Sequence, residues 1–177
     1  MEFIDNDLFV YCSDSFLLRK IQKLVFTKDD NGELSFSLNQ VLPMPKDFSG
    51  TSKYQMFGRC WREAIWGVPH DGKEYNRNIN NYDFDVHFST PRNPCINWFE
   101  IFQEMAEALH KNCDIFPEPV LVILYAYGEF DTSNQGFIHW EPGMKFERKN
   151  KLEEKSRERL LQFFDPFWLN RYGDTWD

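Results

Sequence analysis

A chain of 177 residues with 42% hydrophobic and 18% aromatic residues has the apolar area to bury roughly 68–70% of its unfolded surface around one core, which excludes a disordered or low-complexity protein. A formal charge of −8 argues against phosphate neutralisation, so nucleic-acid binding is disfavoured as the main task. The longest apolar run, Val120 to Tyr127, is far short of the roughly 20 residues that cross a bilayer, and Met1 precedes acidic residues instead of a basic and apolar leader, so a cytoplasmic protein without a membrane segment is expected.

In chain order, Leu8 to Cys12 is apolar and β-prone, and Ser13-Asp14 behind it forms a helix N-cap. In the helix from Ser15, Leu17, Leu18, Ile21, Leu24 and Val25 recur at helical spacing, while Arg19, Lys20 and Lys23 fall on the other side. Lys28 to Gly32 is a turn cluster, after which Leu34, Phe36 and Leu38 alternate with polar residues as in a half-buried strand. Pro43-Met44-Pro45 stops that strand. From Pro43 to Asn81 the pattern is irregular, with one short helix around Tyr54 to Ile65, and so long a connection serves as a lid or binding loop or has structure of its own.

The second half repeats the arrangement. Tyr82, Phe84, Val86 and Phe88 alternate with Asp83, Asp85, His87 and Ser89, giving a strand with an apolar and an acidic face. A helix runs from Ile96 to Lys111 with Trp98, Ile101, Phe102, Met105 and Leu109 on one side. Val120 to Tyr127 has no polar alternation and belongs inside the sheet. Gly136 to Trp140 closes a hairpin upon it through the turn residues from Asp131. This order predicts an α+β, ferredoxin-like split β-α-β sheet, with two helices on one face, over residues 1–143, the excursion 43–81 being an insertion. Residues 144–177 are read as an appendage: a charged helix from Lys145 to Phe164, with Glu153 and Arg157 in i,i+4 order, and an aromatic tail with Phe167, Trp168, Leu169, Tyr172 and Trp176 that packs on the body or a partner.

Four landmarks resemble the YubB-type ferredoxin-like domain family of uncharacterised plasmid and phage proteins. They are the strand running into Pro43-Met44-Pro45; Trp61-Arg62-Glu63-Ala64-Ile65-Trp66-Gly67; Phe88-Ser89-Thr90 with Pro91 and Pro94; and Tyr127-Gly128-Glu129-Phe130 followed by Gly136-Phe137. They occur in the family's order over about Leu8 to Gly143. Val68-Pro69-His70-Asp71 departs from the family's Thr-Lys-Trp-Asp, and Ile65 replaces an Asn. The resemblance implies the fold and a bacterial or mobile-element setting, and it supplies no catalytic residues.

Candidate chemistry is sparse. Asp83, Asp85 and His87 share one strand face, and i, i+2, i+4 spacing converges donors as a metal or an acid–base pair would need. One strand provides nothing to orient such ligands, so a polar outer face, or one covered by the excursion, is the preferred reading and no metal is expected. Glu129 beside Tyr125 and Tyr127 is either an acid of raised pKa or a residue of the solvent rim, the latter preferred. Trp61, Trp66, Tyr82 and Trp98 form either an aromatic cleft oriented by Arg62 and Glu63 or plain packing, the latter preferred. His70, His110 and His139 show no ligand spacing, and the scattered Cys12, Cys60, Cys95 and Cys113 are read as buried thiols. No phosphate loop, dinucleotide turn or nucleophile elbow is present, so no cofactor is expected. RNA recognition is opposed by Asp83 and Asp85 where an RNA-binding sheet presents Lys and outward Phe. Ile101 to Pro142 holds 7 acidic residues and 1 basic, which suits a basic protein partner. The first reading is a protein-interaction module that uses the excursion and the tail. The alternatives are an acidic inhibitor or nucleic-acid mimic acting on a host nuclease or defence complex, and a small hydrolase or metal-dependent enzyme around His87, Asp83, Asp85 and Glu129.

Overall fold

The computed structural model describes residues 3–46, 52–68, 70–128 and 135–169, the side chains of 52–57, 168 and 169 excepted. The elements are β1 (Phe3–Cys12), α1 (Ser15–Gln22), β2 (Phe26–Lys28), β3 (Leu34–Phe36), α2 (Ser52–Ile65), β4 (Lys73–Ile79), β5 (Asp83–Pro91), α3 (Ile96–Lys111), β6 (Leu121–Gly128), β7 (Gln135–Trp140) and α4 (Glu154–Leu160), with a 3-10 turn at Leu38–Gln40 and a helical turn at Pro166–Leu169. Five strands form an antiparallel sheet in the order β4-β5-β1-β6-β7. The protein is thus α+β.

Period-two patterning decides which side chains meet which layer. Leu8 and Val10 of β1, Phe84, Val86 and Phe88 of β5, and Ile123 and Tyr125 of β6 join one core with Leu17, Leu18 and Ile21 of α1 and Trp98, Phe99, Phe102 and Ala106 of α3. Both helices therefore cover one face. Asp14 caps α1 by accepting the Leu17 N–H at 2.7 Å, as its sequence context predicts. The residues between those of the first core point the other way. Phe9, Val122, Leu124, Ala126 and Phe137 meet Leu152, Leu160 and Phe164 of the C-terminal segment in a second core. Every residue of β6 is buried, because both of its faces are covered.

Three features differ from the sequence-based expectation. Leu34–Phe36 pairs only with Phe26–Lys28, in a separate hairpin, and the outer strand of the sheet is β4, inside the excursion read as irregular. Lys73-Glu74-Tyr75-Asn76-Arg77-Asn78-Ile79 carries no apolar alternation, because an edge strand with a bulge between Glu74 and Asn76 buries little and is protected by polar side chains. The excursion packs on the helix-side core through Trp66 and Val68, leaving the acidic face of β5 uncovered by it except at β4. The charged stretch from Lys145 is helical only over Glu154–Leu160; before it the chain runs along β7, with Phe137 and Lys149 exchanging backbone hydrogen bonds of 2.7 and 2.9 Å.

Candidate functional site

The β1–β5 register places Asp7 directly opposite His87, and Asp85 lies two residues before His87 on the same face, so one imidazole sits between two carboxylates. His87 Nδ1 is 2.6 Å from Asp7 Oδ1, and Nε2 is 2.8 Å from Asp85 Oδ2. His87 and Asp7 are 0% exposed and Asp85 is 7% exposed. Phe9 meets the ring edge-on at 5.5 Å, and Tyr75 from β4 lies 6.3 Å away, tilted over it. Burial disfavours the charged ring, but the hydrogen bonds and charges of Asp7 and Asp85 outweigh it, so the pKa of His87 is raised above 6.5. A ring protonated on both nitrogens donates to both carboxylates and keeps no lone pair for a metal or a substrate proton.

A cleft of about 200 Å³ runs beside this trio between the β4–β5 end and the C-terminal segment, walled by Asn78, Asn80, Asp83, Asp85, Phe163 and Phe164 among others. His87 is not among its walls. Asp83 accepts a 2.8 Å hydrogen bond from the Asn80 amide, so the carboxylates of β5 are held by neighbours within the protein. The face read as a polar exterior, or as one covered by the excursion, is internal at Asp85 and His87, where Phe9, Tyr75 of the excursion's β4 and the C-terminal segment lie against it. Among the described residues no group of three or more His, Cys, Asp or Glu is disposed to hold a metal ion.

The aromatic residues singled out in the sequence do not form one cleft. Trp66 and Trp98 are buried, and their indole N–H groups donate at 2.9 Å to the carbonyls of Leu42 and Leu38 respectively, the first holding the excursion to the segment before it and the second holding that segment to α3. Trp61 meets Trp66 edge-on at 5.6 Å. Arg62 donates to Met44 Sδ at 3.2 Å and Glu63 pairs with Arg59 on the surface of α2. Tyr82, by contrast, is exposed at the β4–β5 turn. Tyr127 is buried beneath the Arg148 guanidinium, 5.0 Å from its ring centre. Glu129, with the hairpin turn that follows it, lies outside the described residues, as do Tyr172 and Trp176 of the tail.

Of the other polar groups, Asn6 organises a buried network on the helix side. Its Oδ1 accepts from the Tyr125 hydroxyl at 2.5 Å, its Nδ2 donates to Thr90 Oγ1 at 2.9 Å, and the Cys95 N–H donates to Tyr125 Oη at 3.1 Å. This fixes the β5–α3 connection, and neither Asn6 nor Asp7 could be assigned a partner without the strand register. His110 hydrogen-bonds the Pro119 carbonyl at 2.7 Å, His139 contacts Glu141, and His70 is exposed. Cys12 and Cys95 are buried thiols as predicted, whereas Cys60 is exposed on α2.

No helix among the described residues is long and apolar enough to cross a membrane. Comparison with family models, with curated proteins and with solved structures returns no match for the chain.

Proposed function

We infer that the chain is a non-enzymatic protein-interaction module on a ferredoxin-like scaffold of the YubB type. The scaffold reading is supported by the order β4-β5-β1-β6 with α1 following β1 and α3 joining β5 to β6, which matches a split β-α-β sheet to which β7 adds an edge. The functional reading rests on one group among the exposed apolar side chains. Phe16, Ile79, Tyr82, Phe116 and Val120 are all exposed, and all belong to connections or element ends at one end of the sheet. There the Cys12 N–H donates to the Tyr82 carbonyl at 2.8 Å and the Ser13 N–H to the Val120 carbonyl at 2.9 Å. Large side chains gathered at one end of a fold mark a contact surface. Asp7, Asp85 and His87, the acid–base groups that the strand register brings together, are meanwhile buried and bonded to one another.

Photo-crosslinking in the cell tests this, with a photoreactive residue at Phe16 or Tyr82 and a control at the exposed Glu100 of α3. A discrete adduct with a different protein is expected at the first two positions, lost when the other of the two residues is changed to Asp. Adducts no stronger than at Glu100, or an adduct only with a second copy of the chain, would overturn the reading.

A further inference from the structure

A groove runs from the sheet end just described along the exposed side of α1. Residues 15–28 contain Arg19, Lys20, Lys23 and Lys28 and no acidic residue, in a chain of net charge −8. All four are exposed, and none makes an ion pair among the described residues. Lys20 turns aside over the Phe16 ring, 4.7 Å from its centre. Arg19, Lys23 and Lys28 instead line a hollow of about 480 Å³ whose apolar wall is Phe26, Leu34 and Ile79. A second hollow of about 390 Å³ shares Arg19 and Ile79 with it and continues past Ser15 to Asn80 and Asn81. Exposed cations that find no internal partner beside an apolar wall match a ligand with carboxylates around an apolar anchor.

We propose that this groove docks an acidic peptide segment of a partner protein, with an aliphatic or aromatic side chain seated against Phe26, Leu34 and Ile79 and flanking carboxylates on Arg19, Lys23 and Lys28. This rests on the interaction-module reading and names the partner's chemistry. Single-stranded nucleic acid suits the same charges less well, because it needs free aromatic faces for stacking. Phe26, the aromatic side chain that lines the hollows, offers none: it is 6% exposed, meets Phe84 and Phe36 edge-on at 5.7 and 6.4 Å, and lies under the Arg77 guanidinium.

Fluorescence anisotropy with the full chain tests the assignment, using a pool of short labelled Glu-rich peptides that each carry one central Leu or Phe. Binding is expected to weaken steeply with salt. It should also weaken about tenfold or more in Arg19→Glu/Lys23→Glu, whose folding is checked by circular dichroism, since two reversed charges face the ligand. Peptides with Ala in place of the Leu or Phe should bind less well. Absence of binding, equal binding by the double variant, or tighter binding of oligothymidylate of matched charge would overturn the proposal. If the photo-crosslinks at Phe16 and Tyr82 persist while these peptides fail, the groove assignment alone falls; if both fail, the interaction module falls with it.

Discussion

At His87 one imidazole is hydrogen-bonded to two carboxylates in a buried layer, an arrangement that is stable only while every member has its partners. His87→Gln removes the cation from between two buried carboxylates, so it should cost about 3–5 kcal/mol in urea unfolding. Adding Asp85→Asn to that variant should restore part of the loss, since one unpaired charge disappears. The pH dependence follows from the raised pKa. The folded protein holds its proton on His87 more tightly than the unfolded chain does, so this contribution is complete below pH 6.5 and is lost as pH rises through the folded value. Burial depresses the pKa of His139 below 6.5, and its contribution is lost only as pH falls, so the two windows separate. Unfolding midpoints should therefore decline from pH 6.5 upwards in the wild type and stay flat over that range in His87→Gln. A wild-type profile that is flat there would show the imidazole to be neutral. Two of the three members were legible, because i, i+2 spacing puts Asp85 and His87 on one face. Asp7 was not, because its role depends on which residue of β1 stands opposite His87, and register is a property of paired strands. The thiols divide in the same way: burial raises Cys12 to about 11 and Cys95 to about 12, while nothing in the spacing of the cysteines marks Cys60 as exposed. Iodoacetamide should modify Cys60 in the native protein and reach Cys12 and Cys95 only on unfolding.

At the scale of elements, a strand with one apolar and one polar face declares itself by alternation, even where, as in β5, most of the polar face is buried too, and a strand with two apolar faces by unbroken apolarity, which is why β5 and β6 were readable. The polar edge strand β4 satisfies neither pattern, and the short β3, though it alternates, buries its apolar residues against β2 and the helix-side core instead of in the main sheet. In the C-terminal segment the i,i+4 spacing of Glu153 and Arg157 suggested one long helix. Glu153 is in fact the extended residue just before α4, and its carboxylate pairs backwards with Lys149, whose backbone is already committed to Phe137 of β7. Tertiary pairing overrides the local helical signal there. The β6–β7 pair supplies a sharper test. Tyr127 stands opposite Gly136, and a Cβ at Gly136 would come within 2.1 Å of the Tyr127 hydroxyl oxygen and 2.2 Å of Cζ. The ring occupies the space that a side chain would need, so Gly136→Ala must displace a buried aromatic and should cost about 1–3 kcal/mol. Combined with Tyr127→Leu, the same substitution should cost much less than the sum of the two single changes, measured as a coupling energy in urea unfolding. Additive losses would mean that the ring moves freely and that the glycine is required for some other reason.

For the molecule as a whole, the decisive feature is that the sheet is covered on both sides by chain of different character: α1, α3 and the excursion on one, and the C-terminal segment on the other. Leu152 and Leu160 are buried against Phe9, Val122, Leu124 and Phe137, Phe9 contacts Phe164 at 5.5 Å, and Tyr11 contacts Phe163 at 4.5 Å. Arg159 reinforces this layer by clasping Glu141 with two hydrogen bonds of 2.9 Å. Removal of the segment would expose the apolar half of β1, β6 and β7 and open the layer in which Asp7, His87 and Asp85 lie, so the sheet would lose apolar burial and the exclusion of water from its ion pairs together. A chain ending at Gly143 is therefore expected to bind a hydrophobic dye, to aggregate, and to lose the cooperative urea transition of the full protein. Within the full chain, Leu160→Ala should cost about 2–5 kcal/mol and steepen nothing else in the pH profile, whereas Arg159→Ala should cost less, because its pair with Glu141 is partly exposed to solvent. A truncated chain that still unfolds cooperatively and binds no dye would show instead that the helix-side core is sufficient for folding and that the C-terminal segment is only laid upon a finished sheet.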